Sequence, residues 1–387
     1  MTSIPEKKLK ILVCIDWFAP GYKAGGPIQS CRNMVQALKE DFDFYIYTSD
    51  RDLGDQSSYT TVPLNQWVDY QSSAKIWYHS PEGKEGFLSI LKSVKPDVVY
   101  FNNMFSVGYT LKPLFKLLQT GYKGKIVLAP RGMLHEGALK LKFLKKKIFL
   151  SLLNFSGIPS KIVFQATDTQ EEKDIRKHFP NCKGIIYAGN IPAPASTIIN
   201  NQLKVKGELK LVFLSRIQEK KNLLFALETL LDFQNGNIRL DIYGSSEDDN
   251  YLNRCKSIIE NLPANILVDF KGPVDNSRVA DVLSHYHLFV LPTYGENFGH
   301  AIFESLLVGT PVLISDRTPW RNLEEKKAGW DVPLEDKEKY SFVIKKMLEA
   351  DETEFKRLSE GAIRLAKDYA LNLNYREEYR KLFMHEG

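Results

Sequence analysis

Short apolar runs alternate with amphipathic stretches along most of the chain. The first half begins with five strand-like runs, most of which end in polar or turn residues: KILVCIDWF, FDFYIYTSD, KIWYHS, PDVVYFNN and KIVLAPRG. Stretches with helical spacing, such as GYTLKPLFKLLQTG, separate them. Alternation of strands and helices predicts parallel βαβ units. KIVFQATD is the last clear strand of this half, and the charged helix TQEEKDIRKHF follows it.

A second series of the same kind begins with LKLVFLSRI and ends with PVLISD, and the last 45 residues read as charged helices. The stretch between the two series carries Pro, Gly and polar residues without periodicity. The pattern therefore predicts a Rossmann-like domain over 1–190, a linker over 191–206 and a second Rossmann-like domain over 207–370. The C-terminal helix, 371–387, is expected to pack back on the first domain.

Composition and charge narrow the class of protein. The chain has 387 residues, of which 43% are hydrophobic and 26% charged, as in soluble globular proteins. No apolar run is long enough to span a bilayer, and the first residues lack the features of a signal peptide, so a cytoplasmic location is expected. Residues 1–190 hold 26 Lys and Arg against 17 Asp and Glu, which suits either an anionic partner or a solvated surface. Standard nucleic-acid-binding signatures are lacking, so no nucleic-acid partner is expected.

The segment LPTYGENFGHAIFESLLVG places candidate chemistry at the end of a predicted strand, where ligands bind in open parallel sheets. A helix is expected to begin near Asn297, so that the backbone N–H groups of Asn297, Phe298 and Gly299 favour an anion. Glu296 precedes that helix, and Glu304 lies about two turns into it. Carboxylates accept paired hydrogen bonds from vicinal hydroxyls, which suits a sugar ring. The alternative is that Glu296 is an ordinary helix-start acid and Glu304 a solvated residue.

A second strand end carries cations. In LVFLSRIQEKKNLLFAL, Arg216 follows the strand and Lys221 precedes the next helix. An arginine fork and a lysine point charge at such a position suit a diphosphate. A basic loop without a ligand is the alternative.

Taken together, these motifs resemble the GT-B glycosyltransferases of family 4, of the bacterial polysaccharide-biosynthesis type. The resemblance rests on GENFGHAIFE, on GTPVLISD, on the spacing of Arg216 and Lys221, on the Gly25-Gly26 loop and on PRGML at 130–134. It implies a GT-B fold, in which two Rossmann-like domains with parallel sheets face each other across a cleft. It also implies a retaining sugar transfer from a nucleotide diphosphate to a hydroxyl, with no metal or other cofactor required.

The resemblance also assigns roles residue by residue. It implies that Arg216 and Lys221 hold the diphosphate, that Glu304 holds the ribose and that Glu296 contacts the donor sugar. Gly26 and the backbone of Asn297, Phe298 and Gly299 are expected to contact the donor as well. Many relatives carry a histidine at the second position of the PRGML segment, where this chain has Arg131. Either His135 substitutes for it or Arg131 binds the acceptor. The alternative for His135 is an ordinary surface histidine at the start of a helix.

A basic amphipathic stretch lies at 138–152. Five lysines stand among leucines and isoleucine here, which suits anionic lipid headgroups or a lipid-linked acceptor. The alternative is a solvated helix that packs one apolar stripe on its own domain.

These expectations combine into a glycosyltransferase that acts on a lipid-linked or growing cell-surface glycan, with peripheral contact to the cytoplasmic face of a membrane. A GT-B-shaped sugar-nucleotide epimerase and a non-catalytic sugar-nucleotide-binding protein are the alternatives.

Overall fold

A computed structural model describes residues 7–135, 139 and 143–384. The chain divides into two compact units. Unit 1 comprises Met1–Ile191 together with Asn374–Gly387, and unit 2 comprises Pro192–Leu373. Within the described residues, no helix is long and apolar enough to cross a membrane.

Unit 1 is built on an eight-stranded sheet. Its strands are β1 Leu9–Cys14, β2 Phe42–Ser49, β3 Trp67–Tyr70, β4 Ala74–His79, β5 Val98–Phe101, β6 Lys125–Leu128, β7 Val163–Ala166 and β8 Gly184–Tyr187. They lie in the order β3-β4-β2-β1-β5-β6-β7-β8. All neighbours pair in parallel except β3 and β4, which form an antiparallel hairpin at the edge. The order reverses between β1 and β5, so the carboxyl ends of these two strands form the crevice expected to bind ligands.

Helices cover both faces of this sheet. They are α1 Gly26–Leu38, α2 Phe87–Val94, α3 Lys112–Gln119, α4 Phe143–Phe155, α5 Thr169–His178 and, from the end of the chain, α12 Tyr375–Met384. A π-helical turn, Val107–Leu111, precedes α3. The C-terminal helix α12 packs into unit 1, where the ring of Phe383 lies 5.2 Å from that of Phe42 and 5.8 Å from that of Tyr100.

Unit 2 holds a six-stranded, fully parallel sheet. Its strands are β9 Glu208–Leu214, β10 Asn237–Tyr243, β11 Ile266–Gly272, β12 Leu288–Leu291, β13 Val312–Ser315 and β14 Gly329–Val332. Their order, β11-β10-β9-β12-β13-β14, is the doubly wound order of dinucleotide-binding folds. The order reverses between β9 and β12. Strand β12 is buried along its whole length, which explains its continuous apolar sequence, LFVL.

Six helices of the described chain complete unit 2: α6 Leu223–Leu230, α7 Asp249–Ile259, α8 Asn276–Leu283, α9 His300–Val308, α10 Lys337–Glu349 and α11 Glu352–Leu371. Several of them begin after an aspartate whose side chain accepts a hydrogen bond from a backbone N–H of the first turn, as at Asp248, Asp336 and Asp351. These caps were not used in the sequence-based prediction, but the Asp residues are visible in the sequence.

The structure differs from the predicted elements at four places. The short strands β3, β8 and β14 were not predicted, because each has only four residues and lies at or next to a sheet edge with little periodicity. The predicted linker, 191–206, belongs to unit 2 from Pro192 onward. In this segment the buried Asn200 side chain donates to Tyr286 O and Thr310 Oγ1, both at 2.7 Å. The segment therefore packs on unit 2 although its polar residues show no periodicity.

Candidate active site

The loops that leave β9 and β12 meet at the reversal point of the unit 2 sheet. The backbone N–H of Tyr294 donates to the carbonyl of Lys220 at 2.8 Å, and the buried Thr293 hydroxyl donates to the same carbonyl at 3.0 Å. Strand β12 lies directly beside β9, so its carboxyl end brings residues 292–296 next to the loop of residues 215–221. The sheet topology therefore joins the two motifs that the sequence singled out separately.

An ion pair connects the two loops. Lys221 Nζ lies 2.5 Å from Glu296 Oε1, and both side chains are largely buried. Burial would raise the pKa of Glu296, but the charges of Lys221 and Lys220, together with hydrogen bonds from Lys221 and Thr293, outweigh it and hold the pKa below its usual value. Glu296 is therefore a carboxylate at neutral pH, and its backbone N–H donates to Arg317 O at 3.1 Å.

Arg216 lies just after β9, at the start of the loop that ends with Lys221. Its guanidinium is partly exposed, and Nη1 lies 3.3 Å from Oε1 of Glu247, which follows β10 and is about half exposed. An exposed ion pair of this kind contributes little to stability, so the guanidinium is available to a competing anion. The turn between Arg216 and Lys221 ends in a short 3₁₀ segment, Glu219–Lys221, directly before α6.

The helix that carries Glu304 begins later than the sequence predicted. Helix α9 starts at His300 rather than near Asn297, because Gly299 has a φ of 79° and caps the helix. A side chain at Gly299 would be strained at this φ, and its Cβ would lie 2.7 Å from Ile302 Cδ1. Phe298 is buried beside Trp320, whose Nε1–H donates to Phe298 O at 2.6 Å. The ring thus anchors the loop, and the first N–H groups of α9 lie just after it.

Glu304 lies in the middle of α9 and is partly exposed, whereas Phe303 and Ser305 on either side are buried. The interpretation of Glu304 as a fully solvated residue therefore does not fit the structure. Unit 2 thus carries Arg216, Lys221, Glu296, Asn297, Phe298, Gly299 and Glu304.

Gly26, Arg131 and His135 lie in unit 1. Gly26 is the first residue of α1, after Gly25, whose φ of 66° caps the helix. Helix α1 follows β1, so Gly26 belongs to the connection at the unit 1 reversal point.

Arg131 is tied into the interior of unit 1. Its Nε donates to Asn102 Oδ1 at 2.8 Å, its Nη1 to Asn190 Oδ1 at 2.6 Å and its Nη2 to Tyr100 Oη at 2.6 Å. The backbone of Arg131 is left-handed, with φ 56°, and the buried Glu171 carboxylate fixes the turn by accepting from Gly132 N at 2.6 Å. These bonds offset the backbone strain and give Arg131 a structural role, and its contact with the acceptor stays a prediction.

His135 has a different environment. Its Nδ1 lies 2.5 Å from Asp174 Oδ2, and the imidazole is about one quarter exposed. A carboxylate accepts hydrogen bonds, so Nδ1 is the donor in this pair and Nε2 lies on the other side of the ring. Asp174 was not predicted to be functional, because 39 residues separate it from His135.

A further carboxylate that the sequence analysis did not single out lies at the unit 1 reversal point. Asp16 follows β1, and it accepts hydrogen bonds from Ser106 Oγ at 2.5 Å and from Asn103 Nδ2 at 3.1 Å. Burial raises the pKa of Asp16, although its hydrogen bonds oppose this. Its position after the first strand was the available signal.

Comparison with known proteins relates the sequence of unit 2 to a protein family. Residues 195–364, nearly all of unit 2, match the family described as glycosyl transferases group 1. Unit 2 is therefore similar to the group 1 glycosyltransferases. The sucrose-phosphate synthase of Thermosynechococcus elongatus has a similar structure, with a TM-score of 0.70 and 16% identity over 97% of this chain and 99% of that one. This likeness and the two sheets, which are parallel except for the β3–β4 pair, confirm the predicted GT-B fold class.

Two curated relatives come from Streptococcus pneumoniae. The UDP-N-acetylglucosamine–peptide N-acetylglucosaminyltransferase GtfA subunit is 21% identical over 73% of this chain. The alpha-monoglucosyldiacylglycerol synthase is 27% identical over 62% of it. The chain spans only 56% of the length of each. One relative is named as a transferase and the other as a synthase.

Proposed function

We propose that the protein transfers a sugar from a nucleotide diphosphate sugar to a hydroxyl acceptor. The observation that carries this proposal is the Lys221–Glu296 ion pair at the β9–β12 reversal point, within the region that matches the group 1 glycosyltransferases. This pair holds the Lys221 ammonium, which suits a phosphate, in direct contact with the Glu296 carboxylate, which suits sugar hydroxyls. Arg216 lies in the same loop as Lys221, after β9. The epimerase and binding-protein alternatives are not favoured, since the matched family and one curated relative are named as transferases and the other relative as a synthase.

We assign the roles as follows. Arg216 and Lys221 stabilise the charge that grows on the leaving diphosphate, a task for which other enzymes use a divalent ion. The proposed reaction therefore needs no metal. Glu304 binds the ribose, and Glu296 accepts hydrogen bonds from the donor sugar. The N–H groups at the start of α9, next to Asn297, Phe298 and Gly299, contact the donor phosphate or sugar.

The proposed reaction retains the anomeric configuration. The acceptor oxygen forms a bond to the anomeric carbon as the bond to the diphosphate oxygen breaks, and the departing phosphate takes the acceptor proton. On the acceptor side we assign His135, whose orientation is fixed by Asp174. Gly26 is also proposed to contact the donor.

The relatives suggest, but only by name, the classes of substrate. One is named for UDP-N-acetylglucosamine and the other for a glucosylated diacylglycerol. We therefore propose a uridine diphosphate sugar as donor and a lipid-linked or cell-surface glycan as acceptor.

The test begins with a screen of nucleotide diphosphate sugars by thermal shift, because a ligand at 100 times its dissociation constant stabilises a protein by about 2.7 kcal/mol. The donor that stabilises most is then incubated with candidate acceptors, with and without EDTA, and the anomeric configuration of the product is read by NMR. Transfer that survives EDTA and retains configuration is expected. Conversion of the donor to an epimer without acceptor would instead identify an epimerase, and inversion would refute the proposed mechanism.

A further inference from the structure

Helix α4 has two apolar faces. One face packs into unit 1 through the buried Leu150 and Leu153. The other consists of four large side chains that are exposed to different degrees: Leu144 by 72%, Ile148 by 56%, Leu152 by 65% and Phe155 by 95%. At 3.6 residues per turn these four fall within an arc of about 80°. They form one continuous stripe, here called the α4 stripe.

Lysines border the α4 stripe. Lys145 and Lys147 are exposed and lie on its two sides, at about 20° and 60° from its edges on the same helical wheel. On the Lys147 side, a cavity of about 290 Å³ opens between α4 and the end of α5. Lys146, Lys147, Lys177 and His178 line it together with Leu139 and Leu150. Apolar surface and positive charge are therefore placed side by side.

We propose that the α4 stripe docks on a bilayer surface that contains anionic lipids, with its apolar side chains at the acyl boundary and a lipid phosphate in the neighbouring cavity. A helix that exposes an apolar face between lysines is the form in which interfacial helices bind such membranes. A second copy of the chain is the poorer occupant, because a two-fold contact through the stripe would bring the lysines of both copies together. The excess of basic residues in 1–190 acts in the same direction.

The docked helix is connected to the unit 1 reversal point. The Phe149 ring on α4 packs edge-on against the Phe105 ring at 5.4 Å, and Lys146 Nζ lies 5.4 Å from the centre of the same ring. Phe105 stands between Asn103 and Ser106, which hold Asp16. The α4 stripe therefore places this crevice near the membrane surface, where a lipid-borne hydroxyl would be presented. The docking itself does not depend on the proposed transfer reaction.

Co-sedimentation of the full chain with vesicles tests the proposal. Vesicles of phosphatidylcholine with 30% phosphatidylglycerol are compared with pure phosphatidylcholine at low and high salt. Binding to the anionic vesicles is expected, and each replacement, Lys145→Gln or Lys147→Gln, should weaken it about fivefold. Replacing all four stripe residues by Ser should abolish sedimentation. Because these side chains are exposed, the variants should keep the thermal stability of the parent chain.

Matched controls and a direct reporter make the test decisive. Leu371→Ser and Phe342→Ser remove exposed apolar side chains from unit 2 and should leave vesicle binding unchanged. In the Phe155→Trp variant, the fluorescence emission of the new indole should shift to the blue when anionic vesicles are added. Brominated acyl chains should quench it. Equal sedimentation of the four-Ser variant and the parent chain overturns the proposal. A second result would also overturn it: the parent chain does not bind vesicles but forms a concentration-dependent dimer, and the four-Ser variant does not form this dimer. Nucleotide diphosphate affinity is measured in parallel, so a failure of docking is distinguished from a failure of the donor site.

Discussion

The Nζ atom of Lys221 lies 2.5 Å from Oε1 of Glu296, although the residues are 75 positions apart and belong to different strand-end loops. A pair of this kind holds both groups in place before any donor arrives. It also means that a donor phosphate competes with Glu296 for Lys221. The two motif residues are therefore coupled, and substitution of either changes the surroundings of the other.

Replacement of the two clamp cations should separate catalysis from stability. Arg216→Ala and Lys221→Ala should each lower turnover by about 10²–10³, as expected for loss of one preorganised charge stabiliser. Their effects on unfolding should differ. Lys221→Ala leaves the largely buried Glu296 without its partner and should cost about 2–3 kcal/mol, whereas Arg216→Ala breaks a partly exposed pair and should cost less than about 1 kcal/mol.

Urea denaturation and steady-state kinetics on both variants check these values. Glu247→Gln is the matched control, because it removes the protein partner of Arg216 but not the guanidinium, and it should keep or raise nucleotide diphosphate affinity. Near-parental turnover in either Ala variant would remove the diphosphate assignment.

The two glutamates should respond in opposite ways to free nucleotide diphosphate. Glu304→Ala should weaken its binding by roughly 10- to 150-fold, the value of a lost hydrogen bond to a charged group, because the ribose is present with or without a sugar. Glu296→Ala should leave this affinity unchanged or raise it, since Lys221 is released to the phosphate, while sugar transfer falls. Calorimetry with the nucleotide diphosphate measures both. Equal losses in the two variants would show that the division between ribose and sugar is wrong.

Much of this arrangement follows from local sequence. Apolar runs such as LFVL at β12 and the polar residues after them predict strands and strand ends, and a parallel sheet then places those ends at one edge. The predicted start of α9 was wrong by three residues. A glycine can lie inside a helix or cap it, and only the φ of 79° at Gly299 shows that it caps this one. The pairs Lys221–Glu296 and His135–Asp174 join distant segments, so no periodicity reveals them. The exposure of the α4 stripe was also hidden, since both apolar faces of α4 look alike in sequence.

His135 and Arg131 should give contrasting phenotypes. Arg131→Ala removes three internal hydrogen bonds and should cost about 3 kcal/mol of stability, and Arg131→Lys should not rescue it, because an ammonium cannot match the planar guanidinium. His135→Gln should lower turnover by about 10-fold, the value of one lost hydrogen bond to the acceptor, with little loss of stability. Asp174→Asn should act in the same direction, since it removes the carboxylate that orients the ring.

Kinetics and thermal unfolding on these variants distinguish the roles, with His285→Gln, an exposed histidine of unit 2, as the control. A catalytic defect in Arg131→Ala at unchanged stability would instead support contact of Arg131 with the acceptor.

A buried histidine in unit 2 should make stability depend on pH. His287 accepts a hydrogen bond from Lys210 N at Nδ1 and donates from Nε2 to Leu203 O, both at 3.1 Å, and it is almost fully buried. Burial lowers its pKa to about 4, so this imidazole stays neutral in the folded state at pH values where the unfolded state would protonate it.

The contribution of His287 to the free energy of unfolding is therefore complete above the unfolded pKa of about 6.5. It is lost as the pH falls from there towards 4, by about 3 kcal/mol in total. Urea denaturation at pH 7.5 and pH 4.5 measures this loss, and His287→Asn should show a smaller difference between the two pH values than the parent chain or His285→Gln. Because carboxylates titrate in all three proteins, only the difference between their pH dependences is diagnostic. An unchanged pH dependence in His287→Asn would show that folding does not lower the pKa of this imidazole.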